Sequence, residues 1–88
     1  MKQPSEWPET VEQAVNKLLD LLHKDETDKI AAMPMAELFL LHFGLGQWIR
    51  NEFGLWSENT ALLESTGRFH PDDAANVIIE ALWRRLQD

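Results

Sequence analysis

Three observations predict a small all-α orthogonal helical bundle. Apolar residues recur at helical spacing in three long stretches, strand-like alternation is absent, and prolines and glycines fall where helices start and stop. The expected architecture has three main helices, at about 10–23, 34–53 and 71–87, and two short ones, at about 25–33 and 59–66. At 88 residues the chain makes one domain, residues 10–88, preceded by an extended arm, residues 1–9.

Pro4 and Pro8 leave the arm without periodicity, although Trp7 is expected to dock on the body. Thr10 opens the first helix with a capping box, its hydroxyl accepting from the amide of Gln13 while the Gln13 side chain reaches back. Val11, Ala14, Val15, Leu18, Leu19 and Leu22 mark one apolar face. The helix is expected to end near His23, a surface residue placed to suit the negative end of the helix dipole. A short helix from about Asp25 is anchored by Ile30 and Met33, and Pro34 ends it by disfavouring helical geometry at Met33. Pro34 then suits the first position of the third helix.

Apolar residues from Leu38 through Phe39, Leu40, Phe43, Trp48 and Ile49 to Phe53 surround most of that third helix, the pattern of a helix buried at the centre of a fold. Gly44 and Gly46 each cost about 1 kcal/mol relative to alanine, so close neighbours are expected on both sides. Gly54 supplies a left-handed position after the helix, with Leu55 folding back on Ile49. Leu55 and Trp56 cover the exit, Asn59 caps a short helix ended by Gly67, and Phe69 anchors the loop before His70. The last helix opens with HPDD: Pro71 fits its first position, and Asp72 and Asp73 favour the positive end of its dipole. Ala74, Ala75, Val77, Ile78, Ala81 and Leu82 give it a wide apolar face, while Glu80 and Arg84 form a favourable pair one turn apart.

The string HFGLGQWIRNEFGLW, from His42 to Trp56, followed by HPDD at His70 to Asp73, resembles an uncharacterised family of small bacterial all-α domains. That family carries an HFGLG–W–IRN–GLW pattern and then an HPDD-type helix start. The resemblance spans the Trp7-Pro8 region to Trp83. It implies a bacterial origin and an all-α domain of unknown function, and it brings no activity with it.

Fifteen acidic against eight basic residues give a formal charge of −7. Nucleic-acid binding and attachment to anionic membranes both need a basic face, so neither is expected. A basic protein partner suits this charge, with the chain itself a monomer or weak homodimer. The absence of cysteine excludes disulfides and thiolate metal sites and is compatible with a reducing compartment. The start MKQPSEWPET has no apolar h-region, and no run approaches the roughly 18 residues that span a bilayer, so a cytoplasmic protein is expected.

One polar constellation merits attention. Residues four apart share a helix face, so His42, Gly46 and Arg50 form one row. If the last helix crosses near Gly46, Asp72 and Asp73 can face Arg50. This arrangement reads either as an ion pair that fixes helix docking or as a pocket for a polar ligand. His42 and His70 can make a general base with a carboxylate, but their spacing is no metal signature, and capping or core roles are the better reading. Asn51 is expected to help Arg50 hold the Gly54–Trp56 turn. Ser57 and Ser65 lack the context of a nucleophile. Trp48 and Trp56 read as mostly core, although an exposed Trp56 beside an acidic rim would serve as an interaction hot spot. No cofactor or metal is expected, and no catalytic signature is present. The expected function is a non-enzymatic protein-interaction module, in the manner of a bacterial immunity protein or antitoxin. The alternative is a ligand-binding or enzymatic domain using His42, Arg50, His70 and Asp72.

Overall fold

Helix α1 (Val11–Leu21) is held at its start from two directions. Thr10 Oγ1 accepts from the Gln13 amide at 3.1 Å, and Gln13 Oε1 accepts from the amide of Glu9 at 2.9 Å. The α1 terminus is also capped across the fold, because Ser65 Oγ accepts from the Val11 amide at 2.9 Å. The computed structural model describes residues 7–88. Of the arm predicted over residues 1–9, residues 1–6 lie outside the described residues, while Trp7, Pro8 and Glu9 precede α1 without joining it.

Helix α2 (Lys24–Ala32) begins one residue after His23, which therefore caps α2 rather than closing α1. The Glu26 carboxylate accepts from the His23 amide at 3.0 Å, and two acidic residues in the first turn outweigh the attraction of the preceding helix end. Met33 and Pro34 are extended, as a residue before proline prefers to be. The C-terminal end of α2 is tied to the last helix by Trp83 Nε1, which donates to the Met33 carbonyl at 2.8 Å, and by Gln87, which donates to the Ala31 carbonyl at 3.0 Å.

The third main helix departs from the expected uniform, buried cylinder. It is wound as a 3₁₀ helix over Met35–Leu41, opens into a π turn over His42–Gly46, and becomes a regular helix, α3, over Gln47–Glu52. With three residues per turn, a 3₁₀ segment lays every third residue on one narrow ridge. Met35, Leu38 and Leu41 share that ridge, and Leu38 is buried by it. Phe39 and Leu40 are thrown off it and stand 68% and 59% exposed, with Phe43 in the π turn at 81%. On the ridge Leu38 is buried, Leu41 half-buried and Met35 exposed, so apolar residues all round the helix mark a partly buried ridge and an exposed apolar flank.

The exit from α3 follows the left-handed cap expected of Gly54. Gly54 has φ +72° and the Leu55 amide donates to the Arg50 carbonyl at 3.1 Å, closing a Schellman-type end with Leu55 buried. Asn59 then does more than cap α4 (Thr60–Thr66). Its Oδ1 accepts from the Leu62 amide, while its Nδ2 donates to the Phe53 carbonyl at 2.6 Å and to the Pro8 carbonyl at 2.9 Å. One buried amide therefore binds the arm, the turn after α3 and the start of α4.

Gly67 ends α4 with φ +74°, and α5 (Pro71–Leu86) runs through the centre of the molecule. Its Ala74, Ala75, Ile78, Ile79 and Leu82 are almost wholly buried and meet Ala14 and Leu18 of α1, Ile49 and Phe53, and Leu62 of α4. Small residues on the first turns of α5 let its backbone come close. The described residues form an all-α bundle without strands, and the radius of gyration of 12.1 Å is that of a compact globule of this length.

The two left-handed glycines separate backbone strain from steric conflict. A Cβ at Gly67 would meet nothing, whereas one at Gly54 would lie 2.6 Å from the indole of Trp7, which docks there as expected. Gly67→Ala is expected to cost about 1 kcal/mol in urea unfolding, the left-handed penalty alone, and Gly54→Ala about 2 kcal/mol more. Adding Trp7→Ala to Gly54→Ala relieves the clash, so the double variant is less destabilised than the sum of the two. Equal costs at the two glycines would contradict this packing.

Candidate functional site

The N-terminal end of α5 is where the polar residues converge. His70 is its cap, with Nδ1 accepting from the Asp72 amide at 3.1 Å. In a neutral ring that bond leaves the proton on Nε2. The cap turns the Asp72 carboxylate toward α3, where Oδ1 meets Arg50 Nε at 3.2 Å, while Oδ2 lies 3.8 Å from His70 Nδ1.

Arg50 is the unusual member, a guanidinium only 6% exposed in a small domain. Nε faces Asp72, Nη2 makes a long 3.4 Å contact with the His42 carbonyl, and Nη1 exposes less than 1 Å² and has no hydrogen-bond partner. Room for the group comes from Gly46. A Cβ there would sit 3.1 Å from Arg50 Nη1, 3.4 Å from the Leu41 carbonyl and 3.6 Å from Ile79 Cδ1. The glycine thus lets the guanidinium lie against the π turn while α5 closes over it. One side of the expected close approach is real. The other is not, because Gly44 is exposed with open space at its Cβ position. Gly44 instead borders a groove of about 450 Å³ floored by Leu18, Leu22, Leu45 and Trp48, with His23 and Glu26 on its rim.

A family model described as a domain of unknown function, DUF6794, matches residues 7–86. The chain belongs to that family. No curated protein and no solved structure gives a significant match. The DUF6794 match runs across nearly the whole helical body, so the Arg50–Asp72 pair and the Trp7 contact both lie within it.

Within this DUF6794 domain the remaining candidates are dispersed. Asp73 is exposed on the other side of α5, lining a shallow pocket with Arg68, Asn76 and Glu80 rather than facing Arg50. The His42 ring packs edge-on against Phe43 at 5.1 Å, and the His70 ring edge-on against Trp56 at 5.6 Å, so each imidazole has its own aromatic neighbour. His42 meets Arg50 through its backbone carbonyl, a consequence of the π turn that four-residue spacing does not foresee. Asn51 is exposed, and the turn it was expected to hold is held by Asn59. Ser65, set aside as a nucleophile, is the remote cap of α1. Trp56 is 56% exposed, and Trp48 is 36% exposed with its ring against Phe53 at 5.5 Å. Phe69 anchors nothing, standing 98% exposed. Among the described residues no group of three histidine or carboxylate side chains can hold a metal ion.

Chemically, the cluster is a lock. Arg50 is enclosed on the π-turn side and neutralised on the α5 side, while the carboxylate partner remains 41% exposed. Removing Asp72 leaves a buried cation without its counter-charge, whereas replacing Arg50 by an apolar chain of similar length removes the need for one. Asp72→Ala is therefore expected to cost about 3 kcal/mol in urea unfolding, and Arg50→Met much less. Arg50→Met with Asp72→Ala is expected to be more stable than Asp72→Ala alone. A double variant no more stable than Asp72→Ala would show that the charge pair is not what docks α5.

Proposed function

We propose that this domain is a non-enzymatic protein-interaction module of the cytoplasm, acting by binding a basic protein through its aromatic surface. The observation that carries this reading is the exposure of Phe39, Phe43, Trp56 and Phe69, at 68%, 81%, 56% and 98%. Aromatic residues are enriched at the energetic centres of protein interfaces. The polar cluster supports the same reading from the other side. Its guanidinium is 6% exposed and faces Asp72, which supports a structural role for the cluster over the alternative of a His42–Arg50–His70–Asp72 ligand site.

The formal charge of −7 suits a basic target. Inhibition of such a target, as bacterial immunity proteins and antitoxins achieve, is the specific role proposed for a small acidic all-α domain of bacterial type. No helix among the described residues is long and apolar enough to cross a membrane, which is compatible with the cytoplasmic setting.

Photo-crosslinking in native cells tests the reading. With a benzophenone side chain in place of Phe43 or Trp56, one discrete protein adduct is expected from at least one of the two positions. None is expected from Asn76, an exposed polar position on α5. Absence of any adduct from both aromatic positions would contradict the proposal.

A further inference from the structure

Gly44 is a glycine that the fold itself does not ask for. Its φ is not positive, a Cβ there would meet nothing within 4 Å, and it stands exposed inside the π turn. Glycine within a helix is destabilising relative to alanine, so a position with neither a backbone nor a packing reason for it is one left clear for an approach from outside. π turns carry the same sign, since they occur mostly as single insertions in helices and frequently at functional sites.

The space beside Gly44 is the groove of about 450 Å³ lined by the end of α1, the start of α2, the π turn and Trp48. That volume is of the size that takes a small molecule, for which pockets run to about 300–1,000 Å³. Its lining is apolar but not closed. Leu18 is fully buried, whereas Leu21 is 49% and Trp48 36% exposed. The Trp48 ring packs edge-on against Phe53 at 5.5 Å, which holds it in one orientation toward an occupant.

The charge of the lining decides the class of occupant. Glu26 is the one residue of formal charge there, and it forms no ion pair among the described residues. Its Oε1 accepts from the His23 amide at 3.0 Å, which leaves the second carboxylate oxygen for a ligand. Lys29 lines only the adjoining groove, which shares Leu22, Glu26 and Leu45 with this one. The carboxyl end of α1 adds to the negative side, because Leu18, Leu21 and Leu22 line the groove and no basic residue stands in the last turn of α1. The opposing positive end of α2 is answered by its own Asp25 and Glu26. An anionic ligand meets repulsion here, and a neutral one covers Glu26 without satisfying it. A second copy of the chain brings −7 against −7.

We propose that the groove beside Gly44 binds a small apolar amine, its hydrocarbon or aromatic body on Leu18, Leu21 and Trp48 and its ammonium at the Glu26 carboxylate. The missing side chain of Gly44 keeps the groove open to it. This site is separate from the aromatic surface of the interaction module and does not depend on it.

The probe is phenylbutylamine, with phenylbutyrate as its charge-reversed counterpart, titrated against the nitrogen-15-labelled chain. The amine is expected to give saturable amide shifts over residues 21–26 and 44–48 with a Kd of about 1 mM, and the carboxylate none. Glu26→Gln keeps an oxygen for the His23 amide while removing the charge, and it is expected to weaken the amine about tenfold. Gly44→Ala is expected to raise the melting temperature by about 4 °C, and Gly44→Leu to abolish the shifts at residues 21–26. If Gly44→Leu does not fold, Glu26→Gln decides alone. No saturable shifts, equal shifts from the carboxylate, an unchanged Kd in Glu26→Gln, or a lowered melting temperature in Gly44→Ala would each overturn the proposal. So would shifts from an acetylated leucyl-lysine peptide with none from the free amine, which would assign the groove to a protein segment. A dimer by light scattering that Gly44→Leu dissolves would assign it to a second copy and overturn the proposal as well.

Discussion

A guanidinium taken out of water must be neutralised where it sits, and most of this fold can be followed outward from that requirement at Arg50. The group is 6% exposed, and its counter-charge comes from Asp72, two residues after the cap of α5. For the pair to close at 3.2 Å, α5 must begin beside the π turn, and its cap His70 must aim the second residue inward. A Cβ at position 46 would crowd the guanidinium, at 3.1 Å from Nη1, so glycine there eases its fit. Register of the long helix, the glycine at 46 and the cap chemistry of HPDD thus meet at one buried charge. Such a pair adds little net stability compared with an apolar filling, but it penalises every arrangement that separates its members. Its contribution is to select one docking of α5.

A second set of contacts ties the residues before α1, the turn after α3 and α4 together by less conspicuous means. Asn59 gathers the Pro8 carbonyl, the Phe53 carbonyl and the first turn of α4, Trp7 lies on Gly54, and Ser65 caps α1 from a helix more than fifty residues away. These bonds satisfy backbone groups that helix ends leave open, and they do so with side chains from other elements. The short helices therefore depend on tertiary partners, as helices of under ten residues must.

Much of this was legible in the sequence because it is written in local chemistry. Helix boundaries followed from Thr10, Pro34, Gly54, Gly67 and Pro71, whose preferences act within a turn of their own position. The approach of Asp72 to Arg50 could be anticipated once both helices were placed. What escaped was non-local or depended on helical pitch. A periodicity argument assumes 3.6 residues per turn, so it buried Phe39, Leu40 and Phe43, which the 3₁₀ winding and the π turn leave outward. It also aimed the His42 ring at Arg50, where the π turn presents the His42 carbonyl instead. Asn51 and Asn59 are indistinguishable by type, and only the path of the chain decides that Asn59 is buried. Phe69 shows the limit of reading hydrophobicity as burial.

The functional reading inherits this division. The polar residues that look like chemistry pair with groups of the fold, and the apolar residues that look like core stand on the surface, where the proposed function gives them a partner. The measurement that bears most directly on that inversion is the exchange rate of the Arg50 side-chain Nε–H with solvent, read by nitrogen-15 NMR. A sequestered, paired guanidinium predicts a resolved signal exchanging far more slowly than those of Arg84 and Arg85, which lie in the exposed last turn of α5. Exchange as fast as theirs would mean that Arg50 is open to solvent, and the cluster would then have to be considered as a ligand site after all.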